Sequence, residues 1–460
     1  MDGIERADVV VVGCGQAGGP LSWRLAGTGR RVVLFERAHL GGTCVNYGCT
    51  PTKTMIASAD VAHAARRGGD LGIDVDQVRV DLARVVARKE AMVRRWRSGV
   101  EEKVAAADGL TLVRAHARFV EPRVLEADGR RWSADTIILD PGARPSVPRI
   151  PGLESVAWLD NASVMELRET PDHLVVLGGG YIGCEMGQAF RRFGAAVTIL
   201  ERNDRILSRE DEDVSEALQE AFAEEGIAME MGAPAERVEA TADGGVRVRL
   251  AGGAAVEGSH LLVALGRRPN TDDLGCDAGG VELDASGTIV IDDRYCTSAD
   301  GVYAVGDATG GPQFTHASWD DHRILFDLLR GDDRRTRDDR IVPQVVFTDP
   351  QVARVGLSER EARERNVRCD VATLPFGHIA RAIEIGRRAG LVKVLVDPDD
   401  DRVLGAAVVG DQAGELLHVF VVMMSAGAPV RALVDAEMAH PTFCEGLQSA
   451  VMTLERHALA

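Results

Sequence analysis

The chain has 460 residues, of which 45% are hydrophobic and 27% charged, and it carries a net charge of −18. This length predicts two to four domains, and the composition is ordinary for a soluble globular protein. The negative charge opposes binding to nucleic acid or to an anionic membrane, and no apolar run approaches the ~18 residues of a membrane span. Because the start, MDGIERADVV, lacks the basic and apolar regions of a signal peptide, we expect a cytoplasmic protein.

The first forty residues follow a strand, glycine turn, helix, strand pattern. The apolar run in ADVVVVG predicts a parallel strand buried on both faces, and a second strand, VVLF, ends at Glu36. Between the strands, Gly13, Gly15 and Gly18 form a GxGxxG motif. In such a motif the first glycine makes a tight turn, the second lets the backbone approach a pyrophosphate, and the third permits close helix–strand packing. A carboxylate ending the second strand accepts hydrogen bonds from ribose hydroxyls.

The next stretch, GGTCVNYGCTPTK, places Cys44 and Cys49 in a glycine-rich segment that runs to Lys53. Eight cysteines are too few for a disulfide scaffold, and no second closely spaced pair supplies the other ligands of a structural zinc site. Five residues of ideal helix advance about 7.5 Å, beyond the ~7 Å Cα separation of a disulfide, so a bridge needs a distorted turn, which Gly48 permits. Pro51 suits the first turn of a helix, whose N-terminus stabilises a thiolate. The segment therefore indicates a reactive pair.

The opening pattern returns 165 residues later in HLVVLGGGYIGCEMGQAFRRFGAAVTILER, with Gly178, Gly180, Gly183 and Glu201. In both copies the glutamate follows the first glycine by 23 residues. A single GxGxxG is a weak signal, but two complete copies at matched spacing predict two dinucleotide sites. A carboxylate at Glu201 suits a free 2′-hydroxyl and repels a 2′-phosphate, which favours NADH over NADPH. Arg202 and Arg205 follow closely and would weaken that preference.

The remaining sequence supplies linkers and a third type of region. Residues 55–105 are predicted to be largely helical, and IILDPGARPSVPRIPGL and LLVALGRRPNT mark boundaries through their glycine and proline content. The stretch 287–311 reads as short strands ending at Gly306 and Asp307. From Ile341 onward, strand-like VKVLVD and GAAVVG precede an apolar helix around LLHVFVVMMSAG, which predicts an α+β domain without nucleotide motifs.

Six motifs occur in the order GxGxxG…E, GGTCxNxGCxPxK, GGGYIGxE, GRxPN, GVYAVGD and HPTxxE. In this order the chain resembles the class I pyridine nucleotide-disulfide oxidoreductases, a flavoprotein family that includes dihydrolipoamide dehydrogenase, glutathione reductase and mercuric reductase. The resemblance implies an α/β fold with two Rossmann-like domains, an α+β dimerisation domain and a homodimer. The implied limits are 1–150 and 273–340 for the two segments of the FAD domain, 151–272 for the NAD(P) domain and 341–460 for the interface domain.

The resemblance assigns separate roles to the two cysteines. It makes Cys49 the sulfur that faces the flavin and Cys44 the interchange thiol that meets the substrate. It also places Lys53 near the flavin, paired with Glu185 of GGGYIGCE. This pairing is physically reasonable, because a buried lysine is costly without a partner and a cation near the isoalloxazine favours a reduced, anionic flavin.

His440 and Glu445 lie in AHPTFCEG. Dithiol interchange needs a group that takes and returns a proton, for which imidazole titrates in the right range, and a carboxylate on its other nitrogen fixes the tautomer. The resemblance implies that this pair reaches the disulfide from the partner subunit, so that the active site is shared. Cys444 between them is either a small core residue or an added thiol facing the disulfide.

The resemblance also implies two sets of cofactor contacts, and we predict no metal site. The implied FAD residues are Gly13, Gly15, Gly18, Glu36, Gly42, Thr43, Lys53, Ala117, Gly142 and Asp307. The implied NAD residues are Gly178, Gly180, Gly183, Glu201 and Gly266.

Several departures from the family pattern bear on the substrate. The sequence has no GMTCxxC module and no cysteine pair in its last residues, ERHALA, which disfavours mercury reduction. TPTK replaces the IPSK of dihydrolipoamide dehydrogenases, and Tyr47 replaces a smaller apolar residue. Asp140–Pro141 stands where Ala–Thr or Asn–Thr is usual, and Pro141 has no N–H to donate, so the local flavin contacts are in question.

Two stretches, QFTHASWDDHRI and VFTDPQVARVGLSEREARE, look most like a bacterial mercuric-reductase-like branch that includes reductases of reactive chlorine or hypothiocyanous oxidants. We therefore expect an NAD(P)H-dependent reductase, with NADH preferred, that reduces a small disulfide or oxidant through FAD and the two cysteines. The alternatives are a dihydrolipoamide dehydrogenase, an NADH oxidase or diaphorase that uses the flavin directly, and a non-enzymatic redox-sensing flavoprotein.

Overall fold

The computed structural model describes residues 3–455, and within them the chain folds as two compact units. Residues 456–460, the end of the ERHALA tail, lie outside the described residues. The strands are β1 (Ile4–Val12), β2 (Val32–Phe35), β3 (Leu110–Val113), β4 (Arg118–Glu121), β5 (Val124–Ala127), β6 (Arg130–Leu139), β7 (Ala143–Pro145), β8 (His173–Leu177), β9 (Ala196–Leu200), β10 (Ala228–Glu230), β11 (Ala235–Ala240), β12 (Val246–Leu250), β13 (Ala255–Gly258), β14 (His260–Val263), β15 (Arg267–Pro269), β16 (Val302–Ala304), β17 (Gln344–Val346), β18 (Gln351–Gly356), β19 (Asp370–Pro375), β20 (Leu391–Val396) and β21 (Val403–Gly410).

The helices of the described residues follow the same chain order. They are α1 (Gly18–Ala26), α2 (Gly42–Asn46), α3 (Cys49–Arg66), α4 (Leu82–Ala105), α5 (Tyr181–Phe193), α6 (Glu212–Glu224), α7 (Cys276–Gly279), α8 (Thr315–Leu328), α9 (Glu359–Glu364), α10 (Ala380–Glu384), α11 (Ala413–Ala426), α12 (Arg431–Val434) and α13 (Cys444–Val451). In the region predicted to be largely helical, α3 and α4 are confirmed and are separated by residues 67–81. None of the helices in residues 3–455 combines the length and apolar character needed to span a bilayer.

The first unit contains residues up to 55, 84–146 and 266–340, and it is built on a seven-stranded sheet. The sheet order is β3-β2-β1-β6-β5-β4, with β16 also paired to β6. Strand β1 pairs in parallel with both β2 and β6. Its side chains alternate between the two faces: Val9 packs in one hydrophobic cluster with Leu21 of α1, and Val10 packs in another with Trp132. The prediction of a parallel strand buried on both faces is confirmed.

The second unit contains residues 56–83, 147–265 and 341 onward. Its four-stranded parallel sheet, β10-β9-β8-β14, carries the second glycine motif between β8 and α5. A three-stranded antiparallel sheet, β11-β12-β13, packs with it in one core around Leu177 and Val248. The sequence thus predicts both strand–turn–helix–strand repeats correctly.

The end of the second unit is a five-stranded antiparallel sheet of order β17-β18-β21-β20-β19. Its strands contribute Val394 and Val408 to a core that α11 and α13 complete with Phe420 and Leu447. The predicted strands VKVLVD and GAAVVG and the predicted apolar helix are all present as β20, β21 and α11. The expected α+β character of this region is confirmed.

The stretch 287–311 differs from its prediction, because it contains one named strand, β16. Before β16, the Asp292 carboxylate accepts hydrogen bonds from the N–H groups of Arg294 and Cys296 at 2.9 and 2.8 Å. Such side-chain bonds to the local backbone compete with the ladder of a sheet and favour turns. After β16, Gly306–Thr309 forms a single 3-10 turn. The prediction of several short strands is therefore wrong here.

Candidate functional site

The two glycine loops have the same backbone geometry. The first glycines, Gly13 and Gly178, have φ values of 98° and 106°, which L side chains rarely adopt. A Cβ on the third glycine would lie 2.2 Å from the Gly13 oxygen at Gly18, and 1.9 Å from the Gly178 oxygen at Gly183. The turn and packing roles predicted for these four glycines are thus confirmed.

The middle glycines differ between the two loops. Beside Gly180, just before α5, a Cβ would meet no atom of the described residues within 4 Å, and its φ of −80° is open to any residue. This open space suits the close approach of a phosphate. A Cβ on Gly15 would instead lie 2.6 Å from Oδ2 of Asp140. A carboxyl group therefore occupies the space beside the first loop.

The acidic residues that end β2 and β9 are held in the same way. Glu36 accepts hydrogen bonds from the Cys14 N–H at 2.9 Å and from the Ala38 N–H at 2.8 Å. Glu201 accepts them from the Gly179 N–H at 2.7 Å and from the Asn203 N–H at 2.9 Å. Each carboxylate is fixed next to its glycine loop, and Glu201 also accepts from the Asn203 side chain at 2.6 Å. Because a carboxylate accepts about four hydrogen bonds, both can still accept one from a hydroxyl group.

The cysteine segment begins against the first glycine loop. The Gly41 N–H donates to the Cys14 oxygen at 2.9 Å, and the Gln16 side chain donates to the Gly41 oxygen at 3.1 Å. Gly42 has a φ of 61°, and a Cβ there would lie 2.8 Å from Cα of Gly15. These contacts place α2, and with it Cys44, next to the proposed pyrophosphate loop.

A tight turn brings the two cysteines together. Cys44 lies in α2 and Cys49 is the first residue of α3, so they do not share one continuous helix. A Cβ on Gly48 would lie 3.0 Å from the Thr43 oxygen and 3.3 Å from the Cys44 Cα, so the chain passes closer there than most side chains allow. The predicted distortion at Gly48 is confirmed, and it permits a hydrogen bond between the two cysteine side chains.

The two thiols have opposite electrostatic character. The hydrogen bond from Cys44, assisted by the Thr315 hydroxyl and the charge of Lys53, lowers the pKa of Cys49 to about 6. The Cys49 sulfur lies 2.9 Å from the Thr315 oxygen, at the start of α8. The same bond to Cys49, together with burial, raises the pKa of Cys44. At neutral pH the reduced pair is therefore a Cys49 thiolate with a Cys44 thiol beside it.

Lys53 and Glu185 lie in different units of the chain. Lys53 follows Cys49 by four residues, one turn along α3. Glu185 lies in α5, is 5% exposed, and accepts a hydrogen bond from the Phe347 N–H at 2.9 Å. The pairing of Lys53 with Glu185 stays a prediction.

His440 and Glu445 are brought together as predicted. The Nδ1 atom of His440 lies 2.9 Å from Oε2 of Glu445, which stands in the first turn of α13. The imidazole is 70% exposed, whereas the carboxylate side chain is 20% exposed. Because Glu445 engages Nδ1, the Nε2 atom of the exposed imidazole is available to a further group. Cys444 packs against the hydrophobic core of the C-terminal region, which favours the first of its two predicted roles, that of a small core residue.

The segment around Asp307 contains a second group of cofactor candidates. Asp307 lies 3.5 Å from Nη2 of Arg267, and burial raises the pKa of its carboxyl group. The Nε atom of Arg267 is buried without a hydrogen-bond partner in residues 3–455. An unpartnered buried donor beside a carboxyl group fits a polyhydroxylated cofactor such as FAD.

The other predicted FAD residues have simpler surroundings. Ala117 is buried in a hydrophobic cluster of the first unit, so its backbone alone is left for a cofactor contact. The Gly142 oxygen accepts a hydrogen bond from the Asn270 N–H at 3.0 Å, and the Asn270 side chain donates to the Pro141 oxygen at 2.9 Å. Pro141 has no N–H to donate, but its carbonyl group is held by this hydrogen bond from Asn270. Gly266, predicted as an NAD residue, belongs to the first unit and accepts from the Ser146 N–H at 2.9 Å.

Sequence reasoning missed two residues of this site. Thr315 stands immediately before His316 in QFTHASWDDHR, but nothing in the local spacing connects it with a cysteine 266 residues away. The sequence pattern around Asp140 indicates only the missing N–H of its neighbour Pro141. The acidic side chain of Asp140 directly after a buried strand is the available signal, because the end of β6 lies beside the end of the parallel strand β1, where α1 begins.

Comparisons with known proteins establish the family of the chain. A family model described as pyridine nucleotide-disulphide oxidoreductase matches residues 7–321, and the dimerisation domain of the same family matches residues 342–451. The chain is 34% identical to a mercuric reductase of Lysinibacillus sphaericus over 98% of this chain and 83% of that protein. It is 34% identical to a dihydrolipoyl dehydrogenase of Thermus scotoductus over 99% of both chains.

A solved structure also matches over nearly its full length. It is the Cu(II) complex of the HOCl-induced flavoprotein disulfide reductase RclA from Escherichia coli. The TM-score is 0.89 and the identity 34%, and the match covers 97% of this chain and 100% of the other.

Proposed function

Since the chain belongs to the pyridine nucleotide-disulphide oxidoreductases, we propose that it passes electrons through a Cys44–Cys49 disulfide to a small disulfide or oxidant. The protein is an oxidoreductase of a FAD-dependent family that uses a pyridine nucleotide, and it carries the dimerisation domain of that family. We assign FAD to residues 1–150 and 273–340, the nicotinamide coenzyme to residues 151–272, and the subunit interface to residues 341–460.

One observation carries the proposal: the opposite character of two adjacent thiols. Bound FAD supplies the transfer of a hydride equivalent from the nicotinamide to the disulfide. The low pKa of Cys49 keeps this sulfur a thiolate at neutral pH, which can attack a mixed disulfide on Cys44, and the nearby charge of Lys53 stabilises that thiolate. Cys44, which stays protonated at neutral pH, is then the thiol that must be activated to attack a substrate.

The proposed cycle balances in electrons and protons. NAD(P)H and one proton reduce the Cys44–Cys49 disulfide to a dithiol, and a hydride equivalent leaves the nicotinamide. Cys44 attacks a substrate disulfide and releases the first thiol. Cys49 then attacks Cys44, which releases the second thiol and re-forms the internal disulfide.

His440 of the partner subunit takes the proton of Cys44 and returns it to the departing sulfur. Glu445 holds the imidazole tautomer through the Nδ1 contact at 2.9 Å. The exposure of His440 supports this role, because a histidine that serves another subunit must lie open on its own. The active site is therefore shared in the proposed homodimer.

We propose NADH as the preferred coenzyme. Glu201 is fixed beside the second glycine loop by the Gly179 N–H, where its charge opposes a 2′-phosphate. Arg205 would favour NADPH instead, because its Nε atom is buried without a hydrogen-bond partner in the described part of the chain and could bind a 2′-phosphate. The ratio of kcat/KM for NADH to that for NADPH measures whether Glu201 or Arg205 sets the coenzyme preference. Glu201→Gln should shift that ratio toward NADPH.

The acceptor is proposed to be a small disulfide or a thiol-reactive oxidant. Two of the relatives are named mercuric reductase and dihydrolipoyl dehydrogenase, and the solved structure is the Cu(II) complex of an HOCl-induced disulfide reductase. Two thiols of unequal pKa at one site suit either a disulfide or a soft cation. The second candidate is dihydrolipoamide dehydrogenase activity, which the relative of Thermus scotoductus favours.

One acceptor panel tests the proposal. Purified enzyme is assayed with NADH and with NADPH against lipoamide, glutathione disulfide, hypothiocyanous acid, cupric ion, mercuric ion and a quinone. The expected result is turnover with at least one disulfide or oxidant that Cys44→Ser abolishes, whereas Cys296→Ser, a matched half-buried thiol, leaves it unchanged. Equal turnover by Cys44→Ser with its best acceptor would instead establish a diaphorase that uses the flavin directly.

A further inference from the structure

We propose that Asp140 positions FAD as a neutral, protonated carboxyl group, so that FAD binding is coupled to proton uptake and weakens as the pH rises. This inference rests on the proposed assignment of FAD to the first glycine loop. It gives a function to an acidic residue that the electron relay does not use.

Asp140 lies at the centre of three glycines. It follows β6 directly and is 6% exposed, and its Oδ2 atom accepts a hydrogen bond from the Gly18 N–H at 2.8 Å, at the start of α1. A Cβ on Gly15 would lie 2.6 Å from Oδ2, and a Cβ on Gly306 would lie 2.6 Å from Oδ1. The carboxyl group thus fills the space where the phosphate-binding loop and the Asp307 segment meet.

Acidic groups face Asp140 from each neighbouring element. Glu36 ends β2, Asp307 lies in the 3-10 turn after β16, and Asp321 lies in α8. The glycine loop itself contributes Cys14, a neutral thiol whose pKa burial raises to about 12. The nearby cations already have partners: Arg267 lies 3.5 Å from Asp307, and Arg340 is paired with Asp321.

Burial raises the pKa of the Asp140 carboxyl well above its usual range, and Asp307, Asp321 and Glu36 add to this effect. The Gly18 N–H opposes it by stabilising the charged form. A diphosphate held by the first glycine loop would add negative charge near the carboxyl group, which would raise its proton affinity further. The bound state therefore holds a proton that the free protein loses at a lower pH.

The sign of the effect follows from linkage. Where the complex binds one more proton than the free protein, the dissociation constant for FAD increases with pH by up to about tenfold per unit. Below the pKa of the free protein, both states are protonated and the dissociation constant is flat. Replacement by asparagine mimics the neutral carboxyl group and should give a flat profile throughout.

The test measures FAD binding to apoprotein by quenching of FAD fluorescence between pH 5.5 and 8.5. Wild type should weaken as the pH rises, and Asp140→Asn should bind with the low-pH affinity at every pH. The matched control is Asp135→Asn, which removes a carboxylate from the same strand at a position whose side chain is 103% exposed, and it should follow wild type. Titration calorimetry in buffers of different ionisation enthalpy should detect proton uptake of up to one per FAD by wild type.

The outcomes separate this inference from the proposed function. A pH-independent dissociation constant and no proton uptake in wild type would overturn the role of Asp140 while FAD still binds. An equally steep profile in Asp140→Asn would do the same by assigning the proton to another group. Purified protein that binds no FAD at any pH would overturn the proposed function itself. If Asp140→Asn does not fold, Asp140→Ala is measured in its place, and it should likewise give a flat profile without proton uptake.

Discussion

The Nδ1 atom of His440 lies 2.9 Å from Oε2 of Glu445, and only the imidazole of this pair is widely exposed. The carboxylate is held by α13, whose other side chains, including Leu447, enter the core of the C-terminal region. A helix packed on the core therefore fixes the carboxylate, and the carboxylate orients the exposed imidazole. This arrangement is what proton exchange with a dithiol requires.

Replacing Glu445 by glutamine should slow disulfide turnover without affecting reduction of the flavin. The amide keeps the shape of the side chain but no longer stabilises a charged imidazole, so we expect kcat to fall by about tenfold to a hundredfold. The measurement is steady-state reduction of the best disulfide acceptor, alongside NADH-dependent reduction of ferricyanide as a flavin-only assay. Glu437→Gln, an exposed carboxylate three residues before His440, is the control. Equal losses in both assays would contradict a role at the thiols.

Removing the Cys44 thiol should raise the pKa of Cys49 from about 6, because the hydrogen bond from Cys44 is its largest cause. Cys44→Ala should therefore move the midpoint toward the ~8.5 of a free cysteine. Cys44→Ser keeps a hydroxyl donor and should move it less. The rate of iodoacetamide alkylation of reduced protein as a function of pH measures both. Identical midpoints in alanine and serine variants would show that this hydrogen bond does not set the thiolate.

Thr315→Val should raise the same pKa through a second hydrogen bond. The Thr315 oxygen lies 2.9 Å from the Cys49 sulfur, and its hydroxyl stabilises the thiolate. A hydrogen bond to a charged group is worth about 1.5–3 kcal/mol, so we expect the pKa to rise by about one to two units. Thr315→Ser should preserve the wild-type alkylation profile. An unchanged midpoint of the alkylation profile in the valine variant would show that Thr315 does not stabilise the Cys49 thiolate.

Two substitutions in the second glycine loop should affect different properties, one the stability of the fold and the other the binding of the coenzyme. Gly183→Ala places a Cβ 1.9 Å from the Gly178 oxygen and should lower the free energy of unfolding by about 3 kcal/mol or more. Gly180→Ala meets no described atom within 4 Å, so its melting temperature should stay near that of wild type while KM for NADH rises. Thermal denaturation and coenzyme kinetics test the contrast. A Gly180→Ala variant with normal KM would place the pyrophosphate elsewhere.

The repeated elements of the fold could be predicted because their pattern is local. An apolar run, three glycines and a glutamate at fixed spacing define β1, α1 and β2, and the same pattern defines β8, α5 and β9. The prediction of short strands before β16 is wrong because the Asp292 carboxylate accepts hydrogen bonds from nearby backbone N–H groups and closes turns. The pattern of hydrophobic residues does not reveal that these bonds replace those of a sheet.

The candidate site was predictable where motifs carry it and not where distant segments meet. His440 and Glu445 are five residues apart and form their contact as expected. Thr315 reaches Cys49 across 266 residues, and Asp140 reaches Gly18 across 122 residues. Such contacts depend on the packing of the sheet and its helices, so a single sequence does not show which distant residues meet.

The most direct test of the central claim is the state of the two cysteines before and after reduction. Holoprotein is alkylated under anaerobic conditions with and without one equivalent of NADH, and the peptides are mapped by mass spectrometry. The account predicts a Cys44–Cys49 cross-link that disappears with NADH and leaves both residues alkylated, while Cys296 and Cys369 are alkylated in both samples. A cross-link that survives although the flavin is reduced, or two free thiols before any NADH is added, would contradict it.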